Sequence, residues 1–169
     1  MMQKFAYVAA LLLGLSGCAG VPVTYSTTTP FDLAETTALL AEGSNSITGN
    51  AFMRQAGGGV VTCAGSTVFL IPGTAYAAER VRLIYGNVDA GQTRQSTIFK
   101  PEQPEYERLT KKTTCDSSGN FQFDKIADGD FFVLTEVRWM VGTYNTQGAA
   151  MIKAVKVSKK QQVKIVMAG

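Results

Sequence analysis

The chain has 169 residues, of which 46% are apolar, and carries a formal net charge of +3 at pH 7. This length suits one domain with a full hydrophobic core, and the charge is too small to indicate a nucleic-acid partner. The sequence contains no histidine, which excludes Ser-His-Asp and Cys-His catalysis as well as histidine-ligated zinc. Carboxylate, lysine and tyrosine chemistry remain, as does binding without catalysis.

The N-terminal residues have the order of a secretory signal. Met1–Lys4 carries a positive charge, and the apolar run Phe5–Leu15 that follows is too short to span a bilayer. The next residues, Leu15-Ser16-Gly17-Cys18, resemble the lipobox of bacterial lipoproteins. The alternative is an ordinary signal peptide with a chance cysteine.

The lipobox resemblance implies cleavage between Gly17 and Cys18, which removes the signal peptide 1–17. It also implies a lipid on Cys18 that anchors the protein to a membrane. Lipoproteins of the inner membrane usually carry Asp after the cysteine, so Ala19 favours the outer membrane.

The sequence has three cysteines. With Cys18 lipidated, Cys63 and Cys115 remain in an oxidising compartment, where two thiols favour a disulfide. Such a bond would close a loop of about 50 residues and stabilise the fold by about 4 kcal/mol on the chain-entropy argument.

The residues after the signal predict a linker and then a helix. Residues 18–30, which comprise the lipidated cysteine and the Thr/Ser-rich stretch Ala19–Pro30, predict a flexible tether. Within residues 31–45, the apolar spacing of Phe31–Glu42 predicts a short helix that begins after Pro30 and ends before Gly43.

From Ser46 onward, short β-like runs alternate with turn residues. The predicted strands are Ser46–Arg54, Val60–Cys63, Ser66–Pro72, Glu107–Cys115, Asn120–Asp124, Phe131–Val141, Ala149–Val157 and Gln161–Met167. The last two are predicted to form a hairpin around Ser158–Lys160. Between the strands, Thr74–Tyr85 predicts a second helix and Gly86–Pro104 a long surface loop.

This pattern predicts an all-β fold, a β-sandwich of about seven strands with one or two short helices. The sandwich would occupy residues 46–169, with a helix and loop inserted at 74–110. The glycine run Gly57–Gly59 lacks the Lys-Ser/Thr of a phosphate-binding loop and predicts a turn.

The segment Thr113–Phe131 resembles the carboxypeptidase regulatory-like family. The resemblance rests on a threonine strand, an Asp-x-x-Gly turn, an alternating Phe-x-Phe strand and a second Gly turn before an aromatic strand. Upstream, Ile47–Ala51 and Val68–Pro72 match the family's opening strands. The resemblance implies a transthyretin-like (prealbumin-like) sandwich. It implies no peptidase activity, because the chain has no room for the zinc carboxypeptidase domain that often accompanies this family.

The residues of this motif have structural roles. Asp116 can accept hydrogen bonds from backbone amides two residues on, and Gly119 tolerates a positive φ. Phe121 and Phe123 share one face of a strand and can be buried together, while Gly129 lets the chain reverse. The motif therefore predicts a fold rather than chemistry.

Carboxylates near these turns give one candidate metal site. Calcium prefers oxygen ligands, and four carboxylates lie close in sequence: Asp116, Asp124, Asp128 and Asp130. Their spacing does not match an EF-hand loop, and aspartates are ordinary turn residues. We therefore predict no metal and no cofactor.

Two other groups of side chains could support catalysis or binding. Glu102, Glu105 and Glu107 lie near Tyr106 and could act as a general acid or base, although solvated charged loops are far more common. The second group is Arg138, Trp139, Tyr144 and Tyr85, which could form an aromatic partner surface. We favour instead a place in the core for Trp139.

Together these patterns predict a non-enzymatic outer-membrane lipoprotein whose sandwich binds or scaffolds another component of the cell envelope, with an envelope protein as partner. One alternative is a subunit of a secretion machine, by analogy with the transthyretin-like lipoprotein anchors of type VI secretion. A second alternative is a hydrolase of cell-wall or carbohydrate polymers that acts through carboxylates. Because loops carry function more often than cores, we expect partner contacts in Gly86–Pro104.

Overall fold

A computed structural model describes residues 21–169, so the signal segment 1–17, its cleavage site and Cys18 lie outside the described residues. In chain order the elements are β1 (Val23–Tyr25), α1 (Leu33–Leu40), β2 (Glu42–Arg54), β3 (Val60–Thr62), β4 (Thr67–Pro72), α2 (Ala75–Tyr85), β5 (Ala90–Thr93), β6 (Thr97–Phe99), α3 (Pro104–Arg108), β7 (Lys111–Thr114), β8 (Asn120–Ile126), β9 (Gly129–Val141), β10 (Asn145–Val157) and β11 (Gln162–Ala168).

A five-stranded antiparallel sheet forms the middle layer. Its strands lie in the order β5-β10-β9-β4-β7, and β9 and β10 form a long hairpin. The aromatic and β-branched residues of β9 favour extended backbone. They alternate between two apolar faces, with Phe131 and Val133 on one side and Phe132 and Leu134 on the other.

A second sheet, centred on β2, packs on the inner face of the first. β11 pairs with β2 in parallel along one edge, and β8 and β3 pair antiparallel along the other. The main core lies between the two sheets, where Ile47, Leu70 and Phe131 are fully buried.

The outer face of the five-stranded sheet carries a third layer, α2. The helix begins where the Thr74 hydroxyl accepts a hydrogen bond from the Ala77 amide, and it ends at Gly86 in the left-handed conformation. It buries Ala77 and Val81 against sheet residues such as Phe132. The architecture is thus a mostly β sandwich with a helix on one outer face.

The predicted disulfide between Cys63 and Cys115 is confirmed, with Cα atoms 5.8 Å apart. Cys63 follows β3 in the smaller sheet, and Cys115 follows β7 at the edge of the larger one. The bond therefore joins the two sheets.

Both predicted helices are also confirmed, as α1 and α2, but the strand count and the last pairing are wrong. Residues 21–169 contain eleven strands rather than about seven. The predicted hairpin of Ala149–Val157 with Gln161–Met167 does not form, because β10 pairs with β9 and β5 whereas β11 pairs with β2 in the other sheet. The residues Ser158–Gln161 connect the two sheets instead of closing a hairpin.

The predicted tether, residues 18–30, is wrong from Val23 onward. β1 pairs in parallel with β6, and the amides of Thr28 and Thr29 donate to the carboxylate of Glu79 on α2. Hydrogen bonds from Thr29 and Thr28 lower the pKa of Glu79 to about 2. A threonine-rich segment suits a strand as well as a linker, and its partner strand is far away in the sequence.

The predicted loop Gly86–Pro104 is wrong for the same reason. It contains β5, which forms an edge of the five-stranded sheet, and β6, whose Phe99 is buried. The predicted strand Glu107–Cys115 starts only at Lys111, because Pro104–Arg108 forms α3 with proline in its first turn. Pro suits this position because its fixed φ is already helical.

The longest helix within residues 21–169 is α2, with 11 residues. No helix in that part of the chain has both the length and the apolar character needed to cross a membrane.

Candidate functional site: a groove on the outer face

A groove of about 540 Å³ opens on the outer face of the five-stranded sheet, beside α2. We call it the outer groove. It exists because α2 covers only part of this face, and α3 and the segment 93–97 stand at the sides of the uncovered part. A concave apolar surface with polar groups at its edges is the usual form of a small-molecule site.

The floor of the outer groove is a row of side chains that crosses the sheet. Phe69 of β4 is the register partner of Leu134 of β9, and Leu134 is the partner of Ile152 of β10. The row continues to Lys112 of β7 on one side and to Gly91 of β5 on the other. Neighbouring strands present such register partners on the same face, so the floor is continuous and apolar.

Two tyrosines flank this floor. Tyr85, at the end of α2, packs directly on Gly91, where a larger residue would collide with its ring. Tyr106 comes from α3 and also lines the groove. Burial raises the pKa of both Tyr106 and Tyr85 to about 12, with the Arg80 charge opposing this shift at Tyr106. Both phenols are therefore neutral hydrogen-bonding groups at physiological pH.

Polar side chains surround the aromatic lining. The rim carries hydroxyl, amide and charged groups from Thr93, Gln95, Thr97, Glu107, Thr110 and Lys112. The Lys112 ammonium lies 5.3 Å from the centre of the Phe69 ring, within the range of a cation–π interaction.

Arg80 of α2 is held between aromatic rings at the side of the groove. Its guanidinium carbon lies 3.8 Å from the ring centre of Phe99 and 4.2 Å from that of Tyr106. One nitrogen donates to the hydroxyl of Tyr76 at 3.3 Å. Within residues 21–169, Arg80 has no carboxylate partner within 4.0 Å, so it contributes positive charge to the groove.

Arg80 also lines a smaller adjoining cavity of about 280 Å³. Glu102 and Glu107 lie on its wall, whereas Glu105 accepts a hydrogen bond from Gln103. The structure thus brings two of the three glutamates predicted near Tyr106 to one cavity next to the groove.

The four aspartates considered for calcium have separate partners. Asp116 accepts hydrogen bonds from the amides of Ser118 and Asn120, and Asp124 accepts from Gln122. The other two, Asp128 and Asp130, lie with Asn45 and Lys156 respectively. Among the described residues, no three acidic or cysteine side chains are grouped as a metal site requires.

The predicted aromatic surface does not form either. Trp139 is half-buried and packs against the main core, whereas Tyr85 lies on the opposite face of the same sheet. Tyr144 is 94% exposed at the end of the β9–β10 hairpin. Arg138 pairs with Glu136, with 2.6 Å between nitrogen and oxygen.

The residues of the predicted structural motif are in their expected places. Asp116 and Gly119 form a turn with Gly119 at a φ of 80°, and Phe121 and Phe123 are both buried. Gly129 lies at the start of β9 with a φ of 155°. The observed role of this turn is therefore structural.

The outer groove was not predicted, because its floor joins residues that are far apart in the sequence. The one usable signal was the continuously apolar strand Val68–Ile71, which predicts burial on both faces. One of those faces turns out to be shared between α2 and the groove.

No family model matches the sequence, and no curated protein matches it significantly. Among solved structures, the fold is similar to that of a proposed carbohydrate-binding protein from Pseudomonas aeruginosa, with a TM-score of 0.66 and 22% sequence identity. The match covers 83% of this chain and 99% of the other. The likeness therefore establishes a shared fold over most of the chain.

Proposed function

We propose that this protein is a non-enzymatic binding protein of the bacterial cell envelope and that its outer groove binds carbohydrate. The observation that carries the proposal is the lining of the groove. Tyr85 and Tyr106 flank an apolar floor that includes Phe69, and hydroxyl, amide and charged side chains form the rim.

A sugar ring presents two complementary kinds of surface. Its C–H groups form an apolar face that packs on aromatic rings, and its hydroxyl groups donate and accept hydrogen bonds around the edge. The groove volume of about 540 Å³ falls in the range of roughly 300–1,000 Å³ typical of small-molecule sites. A short oligosaccharide or the end of a longer glycan suits this size.

Three further arguments support the proposal. The similar Pseudomonas protein is itself proposed to bind carbohydrate. In addition, the lipobox resemblance puts the mature chain in the envelope, where a lipid on Cys18 would hold the sandwich close to envelope glycans. The absence of histidine from the sequence favours binding without catalysis.

Glycan-array screening of residues 19–169 with envelope oligosaccharides, followed by calorimetry on the glycans bound, tests this function. Ala150 lines the groove, so Ala150→Trp should fill it and abolish binding. Tyr85→Ala should weaken binding about tenfold, equivalent to about 1.4 kcal/mol. Tyr144→Ala, at an exposed site outside the groove, is the matched control and should bind like the wild type.

The proposal fails if no glycan binds, or if Ala150→Trp binds a glycan as tightly as the wild type does. Chromatography of the bound oligosaccharide after long incubation should recover it uncleaved. Cleavage that is lost in Glu107→Gln would instead establish the hydrolase alternative.

A further inference from the structure

The end of the β9–β10 hairpin projects beyond the strands that flank it. On one side, β4 pairs with β9 only as far as Leu134, and on the other β5 pairs with β10 only from Ala150 onward. Residues 135–149 therefore form a two-stranded arm, with no further strand paired to either edge within residues 21–169. We call residues 139–145 the hairpin tip.

The hairpin tip exposes apolar side chains to solvent. Met140 is 55% exposed, Val141 50% and Tyr144 94%. The chain carries no charged residue from Trp139 to Ile152. Val60, another exposed apolar residue, begins β3, which packs against β9. Uncharged apolar and aromatic side chains gathered at one end of a domain mark an interaction surface rather than chance exposure.

Arginines surround this uncharged end. Arg54 of β2 is the register partner of Val60 in β3. Arg138 immediately precedes the tip, where it forms an ion pair with Glu136. Arg94 lines a small cavity together with Ala149 at the base of the arm. At a bilayer surface, anionic headgroups lie between the acyl chains and the water. Apolar and aromatic side chains at the tip, with cationic side chains further from it, match this order.

The N-terminal part of the chain enters the domain beside the base of this arm. The Val23 amide donates to the Ser96 carbonyl at 2.9 Å, and Ser96 lies close in sequence to Thr93, the register partner of Ala150. Cys18 precedes Val21 by three residues, a stretch that spans at most about 11 Å. The hairpin extends roughly 20 Å from Ala150 to Tyr144, which is more than the length of the stretch between Cys18 and Val21. A membrane at Cys18 therefore lies within the reach of the tip.

We propose that the hairpin tip is a second membrane contact, which rests on the lipid bilayer next to the N-terminal anchor. The inference relies on the anchor in the proposed function but not on the glycan site. Two points of attachment fix the orientation of a domain that a lipid alone would leave free to rotate. The exposed tip is too small to bind a bilayer firmly alone, but the anchor holds it at high local concentration.

A fluorescent label at the tip tests this contact. Residues 1–18 are replaced by a hexahistidine segment, and the protein is tethered to vesicles of phosphatidylethanolamine, phosphatidylglycerol and a nickel-chelating lipid. This tether reproduces the anchor whether or not Cys18 is acylated. Because Cys63 and Cys115 are bonded to each other, Thr143→Cys supplies the single thiol for an NBD label, whose emission rises in an apolar environment.

The control is Asp130→Cys, at the exposed start of the same strand β9. We expect the NBD emission at position 143 to increase severalfold on tethering and to be quenched by doxyl-labelled lipids, while the label at position 130 responds as in water. Val141→Asp and Tyr144→Asp, at exposed positions that leave the core intact, should each abolish the increase.

A water-like signal at position 143 in the tethered protein would overturn the proposal, as would an increase that survives both aspartate variants. A tip that responds only when an envelope protein is added would assign the arm to a protein partner and overturn it as well. Calorimetry of glycan binding by the free protein is independent of the tip, so failure of this proposal and failure of the groove hypothesis are distinguishable.

Discussion

Asp116 shows how one side chain sets the local path of the chain. Its carboxylate accepts hydrogen bonds from the amides of Asn120 and Ser118 and from the Asn120 side chain. These bonds, chiefly that from the Asn120 amide, hold the pKa of Asp116 below its usual range. The ionised form is thus the form that stabilises the turn between β7 and β8.

We expect Asp116→Ala to lower the urea midpoint of unfolding at pH 7. Because the pKa of Asp116 is lowered by folding, its contribution is complete above the pKa of the unfolded chain and is lost as the pH falls through the lower folded value. The difference between variant and wild type should therefore shrink as unfolding is measured at more acidic pH. Asp124→Ala, whose carboxylate binds only the exposed Gln122, is the control, and a pH-independent difference would contradict this account.

A second residue-scale contact joins Phe121 to Gly49. A side chain at Gly49 would overlap the Phe121 ring, so the glycine makes room for a buried aromatic ring between the sheets. We expect Phe121→Ala to cost about 3–5 kcal/mol in unfolding free energy. Gly49→Ala should also destabilise, and the double variant with Phe121→Leu should recover part of that loss in a double-mutant cycle. Strictly additive effects in urea unfolding would contradict direct packing between the two residues.

Contacts between residues close in the sequence could largely be predicted, as could the disulfide. The turn at Asp116 and Gly119 depends on neighbours within a few residues, and the pairing of Cys63 with Cys115 followed from the number of cysteines and an oxidising compartment. The environment of Arg80 could not be predicted, because Phe99 and Tyr106 reach it from two other elements.

The helices that carry their own boundary signals were predicted, whereas the short strands β1, β5 and β6 were not. α2 has Thr74 and Gly86 at its ends, which are recognisable caps. β5 and β6 have only four and three residues, and they form strands because β10 and β1 pair with them. Composition alone therefore made Gly86–Pro104 look like a loop.

The pairing of β5 and β6 determines the expected effect of a deletion in this region. Replacement of Val88–Ile98 by a short Gly/Ser linker removes β5 and two of the three residues of β6, and it exposes one edge of β10. We expect a lower midpoint of thermal unfolding and faster hydrogen exchange of the β10 backbone amides. The amides of the disulfide-linked core between the sheets should stay protected. Gly57→Ser is the control, since a side chain at this position in the turn between β2 and β3 has open space. Unchanged protection in β10 would contradict the edge-strand role of β5.

For the molecule as a whole, the sandwich class could be predicted but the groove could not. The number of short strands and turns indicated a β-sandwich, whereas the register that aligns Phe69, Leu134 and Ile152 is set by pairing across three strands. The expectation of partner contacts in Gly86–Pro104 stays a prediction. Thr93, Gln95 and Thr97 of that segment do lie on the groove rim.

Under the lipoprotein hypothesis, the place of the whole molecule in the cell depends on Cys18. We expect Cys18→Ser to abolish incorporation of labelled palmitate and to leave an unprocessed precursor or a soluble periplasmic form. Cys63→Ser, which retains the lipobox, should still be labelled. Palmitate incorporation into Cys18→Ser would end the lipoprotein hypothesis.

Methyl NMR of isoleucine-labelled protein tests the central claim, that the outer groove binds carbohydrate, most directly. Ile84 and Ile152 line the groove, whereas Ile47, Ile126 and Ile165 lie in the main core between the sheets. Titration with a glycan from the array should shift the methyl signals of Ile84 and Ile152 in a saturable manner and leave the three core signals in place. A bound glycan that leaves Ile84 and Ile152 unshifted would contradict the account.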